Sequence, residues 1–378
     1  MNTAILAHDT GQKTESITST RFLYLDSIRG LAALSVVGSH YVGAYGIPFA
    51  EDVFRYSPLH ILFDGAAAVS LFFVLSGFVL SFKYLHPGKN GTIPDIHYAG
   101  YVASRICRIW IPLVAVLLLS ALAQRLAPIP MGGIDQSQWA SKFWTVQSDV
   151  THLIKQALFS RQELTMQLIP QDWTLRYELI LSLMMPVAVL LAVRHTLWLI
   201  GATLYAVIVL HVSPFAFHFM IGAILAKHYY QITEWLKCRD RARITILSVG
   251  LLLYTFQFTV PHYLQWELKE SVIYLITGAG SSLLLVFVFV SPSTQRALLH
   301  PAIHYVGTVS YSVYLSHMII LLSVAPLLLS AVSYGHWTTG LIATILFTVA
   351  LSSVLYRFVE IPSIEAGRKL SLALRRLP

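Results

Sequence analysis

FLYLDSIRGLAALSVVGSHYVGAY, residues 22–45, is apolar and long enough to cross a bilayer, yet it keeps Asp26, Arg29 and His40. An ionised group at mid-bilayer costs at least about 2–3 kcal/mol, so the retention of three ionisable side chains in one span asks for a reason. Helix geometry supplies one. Eleven residues separate Arg29 from His40; at roughly 100° and 1.5 Å per residue the two lie about 20° apart around the axis and about 16 Å apart along it. One face of the helix therefore carries a guanidinium near one end and an imidazole deep in the span or toward its far half. Asp26, three residues before Arg29, is placed to pair with it.

The rest of the chain extends the same pattern. Of 378 residues, 56% are hydrophobic and 12% charged, against about a quarter charged in soluble domains. Apolar stretches recur at 22–45, 61–82, 109–126, 174–193, 196–212, 214–230, 244–260, 271–290, 303–329 and 338–358. This predicts an all-α, polytopic membrane bundle of about ten helices, with a tight hairpin or a broken helix at Ser213 and Pro214. Ten spans put both termini on one side. Eighteen Lys and Arg lie on that side and five on the other, so the positive-inside rule assigns both termini to the cytoplasm, in a cell inner membrane. The domain reading is a polar cytoplasmic tail at 1–20, a membrane domain at 21–360 and a basic cytoplasmic tail at 361–378.

Residues 1–20 lack the apolar core of a secretory signal, which leaves the first span as an uncleaved insertion signal. The sequon Asn90-Gly91-Thr92 falls in a cytoplasmic loop and reads as a turn. Residues 127–173, on the opposite side, contain the semi-apolar run Val150 to Phe159 and can cap the mouth of the bundle. Cys107 and Cys238 both fall on the reducing side, so no disulfide is expected. The net charge of +8 is scattered in short pieces between spans, which excludes a nucleic-acid surface. No metal-ligand spacing is present.

Several residues carry chemistry, and each has a plainer alternative. Asp26 and Arg29 read equally as an interfacial salt bridge, and His40 as a hydrogen-bonded core histidine. Arg105 and Arg108, in ASRICRIWIP, share a helical face and form a fork suited to phosphate oxygens; topological anchoring is the competing reading. QDWTLRYELILSLMMP places Asp172 and Trp173 at an outer boundary and Glu178 about one and a half turns inside, where it needs a cationic partner, Arg176 being a local one. FFVLSGF, 72–78, puts Ser76 and Gly77 inside the second span, where small residues favour close helix contact. GTVSYSVYLSH, 307–317, carries Tyr311, Tyr314 and His317, the last a core residue or a second polar wall of a cavity. His60, His211 and His218 read as structural.

These stretches, with YLDSIRGLAALSVVGSH at 24–40, RICR at 105–108, DWTLRYE at 172–178 and VEIP at 359–362, resemble the acyltransferase-3 family of multi-pass membrane O-acyltransferases, and they stand in the family's order. The resemblance implies ten spans and an acyl-CoA donor reached from the cytoplasm. It implies an essential arginine and histidine on the first helix, mapping onto Arg29 and His40, and a paired-arginine motif mapping onto Arg105 and Arg108. Ser27 and Ile28 stand where many relatives have Gly and Leu. Arg176 and Tyr177 stand where small or acidic residues are common.

The expected function is transfer of an acyl group, read as acetyl, from acyl-CoA to a hydroxyl of a carbohydrate or other cell-surface or secreted acceptor. Acyl-CoA is a substrate, and no bound cofactor or metal is expected. His40, Arg29 and Glu178 are the catalytic candidates. Arg105, Arg108, Asp26, Trp173, Ser76, Tyr311 and His317 are the binding candidates. His40 serves as general base or as transient nucleophile, with Glu178 or Asp172 orienting it. The rival reading is a transporter or flippase with an Arg29, His40 and Glu178 relay, against which no matched pair of interrupted helices is found.

Overall fold

The computed structural model describes residues 22–46, 54–86, 97–126, 137–160, 167–330 and 337–376, and all regular structure among them is helical. The tail 1–20 and the sequon at 90–92 lie outside the described residues. Each of the ten apolar stretches contains a helix. These are α1 Leu23–Tyr45, α2 Gly65–Leu85 and α3 Tyr98–Leu126; after the short α4, Val150–Ala157, come α5 Asp172–Arg194, α6 Thr196–Ile208 and α7 Phe215–Leu236. The series ends with α8 Asp240–Tyr254, α9 Glu270–Phe289, α10 Ser310–Ser330, α11 Trp337–Leu355 and α12 Ile361–Leu374. Six of the described helical segments are long and apolar enough to cross a membrane, and the chain is an integral membrane protein. α6, at 13 residues, spans only about 20 Å, less than the hydrocarbon core.

Local chemistry explains the differences from expectation. The stretch 303–329 is broken at Val309 into a short helix, Pro301–Thr308, and α10. The third helix begins eleven residues earlier than its apolar core, so Arg105 and Arg108 lie within it and not before it. The chain is interrupted at Ser213 and Pro214 as expected, with the two helices joined through His211 at φ +56°. Pro362 lacks the N–H that would bond back to Phe358, and the ladder widens there into a π turn, Tyr356–Glu360. The segment expected as a basic tail continues from it as α12, which packs on α3 where Gly367 meets Ser104 and Cys107.

Glycines set the closest crossings. A Cβ on Gly77 would sit 2.0 Å from Phe219 O, and one on Gly222 would sit 2.1 Å from Val74 O, so α2 and α7 touch backbone to backbone. α1 meets the helix Pro301–Thr308 in the same way: a Cβ on Gly30 would lie 2.5 Å from Gly307 N. Asp64 caps α2 by accepting the Ala67 N–H at 2.8 Å.

The 127–173 connection closes one end of the bundle, as far as it is described. Asp149 and His152 cap α4 reciprocally, and the His152 backbone N–H holds the Asp149 carboxyl below its ordinary range. Buried amides tie the connection down. Gln124 bonds Val146 O and Ser148 N, while Gln156 bonds Ile169 O and Leu168 N.

Replacing Gly222 with Leu is expected to destabilise the protein by about 1–3 kcal/mol through forced separation of α2 and α7. Gly201→Ala, at an open position, should be neutral. Thermal unfolding of the two variants in detergent, read by tryptophan fluorescence, checks this.

Candidate functional site

Three cavities follow one another in series, the second bordering both the first and the third. The first, about 420 Å³, is lined by Asp26 and Arg29 of α1, Ser76 of α2, Arg105 and Arg108 of α3, and Glu178 of α5. Tyr311, Tyr314 and Glu360 complete its wall. Arg29 donates to Asp26 at 3.2 Å, the pairing that their spacing predicts. Arg105 stacks over the Tyr101 ring at 5.7 Å, which fixes one arm of the arginine fork. Tyr311 donates to Ile109 O at 2.9 Å, and Ser312 donates to Glu360 Oε2 at 2.7 Å. Three guanidiniums facing one cavity make it a site for an anion with several charged oxygens, and Glu178 lies within electrostatic reach of Arg29 and Arg105.

The second cavity, about 330 Å³, holds His40, with Ser39 and Val36 of α1, Trp139 and Phe143 of the capping connection, and Gln171 and Trp173. It shares Val69 and Tyr314 with the first cavity, so Arg29 and His40 open on adjoining spaces divided by two side chains. Tyr314 is held in that partition by a 2.6 Å hydrogen bond to Thr174 Oγ1.

His40 does not meet Glu178 or Asp172, which line the first and third cavities. Its Nδ1 lies 2.7 Å from His317 Nε2. The ring planes are 19° apart and the centroids 5.0 Å, which with the short N···N distance makes this an edge-to-edge contact and not a stack. His317 Nδ1 contacts the carbonyls of Tyr314 at 2.8 Å and Val313 at 3.3 Å. Carbonyls only accept, so the His317 proton sits on Nδ1 and the neutral ring presents a lone pair at Nε2. His40 therefore donates from Nδ1, and its Nε2 is left as the basic nitrogen. Trp139 covers the imidazole, ring to ring at 5.3 Å. His317 is buried, lines none of the three cavities and acts through His40.

The third cavity, about 680 Å³, is formed by α4 and α5 and shares Gln167 and Trp173 with the His40 cavity. Asp172, Arg176 and Tyr177 line it. Arg176 thus faces away from Glu178 and does not neutralise it, because two residues along a helix turn the side chain by about 200°.

Three residues that sequence reasoning left unassigned belong here. Gln171 donates to Tyr314 O and Leu315 O, both at 3.0 Å, and its buried Oε1 has no hydrogen-bond partner among the described residues. Glu360 stands in the VEIP stretch, and Trp139 lies in a loop with no periodicity to flag it. The histidines read as structural stay so: His218 bonds Tyr274 O at 2.8 Å, and His60 packs on Phe258 at 3.8 Å, where burial pushes its imidazole down to about 4.

Residues 22–357 match the family described as an acyltransferase domain. A stretch of 101 residues is 37% identical to "Protein 2 in picA locus" of Rhizobium radiobacter, covering 27% of this chain and 44% of that protein, so less than half of the relative's length is matched. No solved structure gives a significant match.

Proposed function

The chain belongs to that acyltransferase family, and from this premise we propose that it moves an acyl group, in the simplest case acetyl, from cytoplasmic acyl-CoA to a hydroxyl on an acceptor outside the cytoplasm. On this reading it sits in the cell inner membrane with both termini in the cytoplasm, and the acceptor is a carbohydrate or another cell-surface or secreted molecule. The observation that carries the reading is the His40 Nε2 lone pair, set by the hydrogen bond to His317, in a cavity that adjoins one bearing three arginines.

Arg105 and Arg108 hold the phosphates of the donor, and Arg29, steadied by Asp26, supports them from α1. Glu178, Ser76 and Tyr311 shape the same cavity. The thioester passes Tyr314 and Val69 to reach His40. His40 Nε2 removes the acceptor hydroxyl proton as that oxygen attacks the thioester carbon; the C–O bond forms, the C–S bond breaks, and the thiolate leaving group takes the proton from the imidazolium. The positive charge that His40 carries between those steps is steadied through Nδ1–H to His317. The first and third cavities both border the His40 cavity, so the imidazole is approached from two sides. Family membership argues against the transporter reading.

His40→Ala is expected to abolish transfer from radiolabelled acetyl-CoA while the protein still inserts and purifies. Substantial activity in that variant ends the proposal. Replacing Arg105 and Arg108 together with Gln should raise the apparent KM for the donor by roughly tenfold or more, as expected for loss of charge-assisted contacts. An unchanged donor KM makes the pair an anchor only. His317→Leu should lower kcat by roughly 10- to 100-fold with little change in donor KM, since it removes the partner that sets the His40 tautomer. Equal effects on kcat and donor KM, or none, contradict a positioning role.

A further inference from the structure

The third cavity differs from the other two in where it lies. It begins among polar groups at the outer end of α5, Gln156 and Asp172, and descends through Trp173, Arg176 and Tyr177 to Ile180. Trp173 to Ile180 is seven residues, about 10 Å of helix, along a flank where Trp173 is 44% and Ile180 43% exposed. Below Ile180 the same face continues as exposed Met184 and Val187. The cavity is therefore open sideways toward lipid as well as outward.

Arg176 is exposed in this flank, inside an apolar helix, and forms no ion pair or hydrogen bond among the described residues. A guanidinium at that depth calls for an anion at the headgroup level. Trp173 and Tyr177 beside it offer aromatic faces, and Asp172 offers hydrogen-bonding oxygens, the combination that suits a sugar ring. Trp173 is also a wall of the His40 cavity, where the orphaned Gln171 Oε1 can accept from a hydroxyl.

Resting on the acyl-transfer reading above, we propose that the third cavity is the acceptor site and that the acceptor is a membrane-anchored glycosyl phosphate. Its sugar lies against Trp173 and Tyr177, its phosphate on Arg176, and its hydrocarbon tail along Ile180, Met184 and Val187. A soluble saccharide has no use for a site that descends two turns into the lipid-facing flank; an amphiphile carrying an anion uses every part of it. The hydroxyl to be acylated passes between Trp173 and Gln167 to His40.

The test uses the full chain in phosphatidylcholine nanodiscs and two photoreactive probes with a diazirine in the tail: a short polyprenyl diphosphate bearing N-acetylglucosamine, and a neutral alkyl glycoside of the same sugar. The diphosphate probe should label α5 between Tyr177 and Val187, roughly tenfold more than the neutral probe, as loss of a charge-assisted contact predicts. Arg176→Gln should cut that labelling by a similar factor and Arg176→Lys should restore most of it. Equal labelling by the two probes, labelling elsewhere, or indifference to Arg176→Gln overturns the proposal. Competition by inorganic pyrophosphate as effective as that by the unlabelled lipid compound assigns the cavity to a soluble phosphate and overturns it too. CoA release from acetyl-CoA that persists in His40→Ala would instead sink the acyl-transfer reading, and the labelling result is read independently of it.

Discussion

A polar group inside an apolar bundle persists only if another group satisfies it, and the pairing of His40 with His317 is the instance on which the site depends. It follows from the packing of two helices. Gly30 and Gly307 let α1 and the 301–330 segment touch backbone to backbone. His40 lies ten residues beyond Gly30, and His317 ten residues beyond Gly307. Two segments that run side by side from that contact carry their imidazoles to the same level, about 15 Å on. The glycine contact near one end thus decides that the histidines meet near the other. A bulky residue at either glycine acts on the chemistry through this geometry without touching a substrate.

The part of this that could be read from the sequence is the part governed by local periodicity. The stripe from Arg29 to His40, the Asp26 partner and the shared face of Arg105 and Arg108 all follow from 3.6 residues per turn, and the coordinates place them as that period requires. What was not legible depends on which helices are neighbours. Glu178 and Asp172 are the partners the sequence offers His40, but they open on the first and third cavities, and the partner is 277 residues away on α10. Gln171 and Trp139 reach the His40 cavity only through the fold of the capping connection, which has no repeating pattern. The break at Val309 and the π turn before Pro362 escaped because hydropathy does not distinguish one apolar helix from two in succession.

Tyr314 shows how a structural contact and a boundary coincide. Its hydroxyl is tied to Thr174, its backbone carbonyl accepts from both His317 and Gln171, and its ring divides the first cavity from the second. The residue that closes off the arginine cavity therefore also holds the proton on His317 Nδ1. Movement of α10 at this point would alter the partition and the tautomer of the imidazole pair together, which makes the rigidity of the α5–α10 contact a condition for a defined basic nitrogen.

α5 is the element that separates the cavities from one another. Thr174 and Glu178 on one face border the arginine cavity, Trp173 borders both the His40 cavity and the third one, and Arg176 and Tyr177 on the other face border the third cavity alone. Two residues along the helix, about 200° of turn, separate Glu178, which faces the arginine cavity, from Arg176, which faces the third cavity. The arginine cavity and the third cavity are then kept apart by roughly one helix diameter, about 10 Å, and not by the thickness of the bilayer. On the proposed acyl-transfer reading, carrying the group from donor to acceptor reduces to passing it around one end of a single helix, at the level where His40 stands.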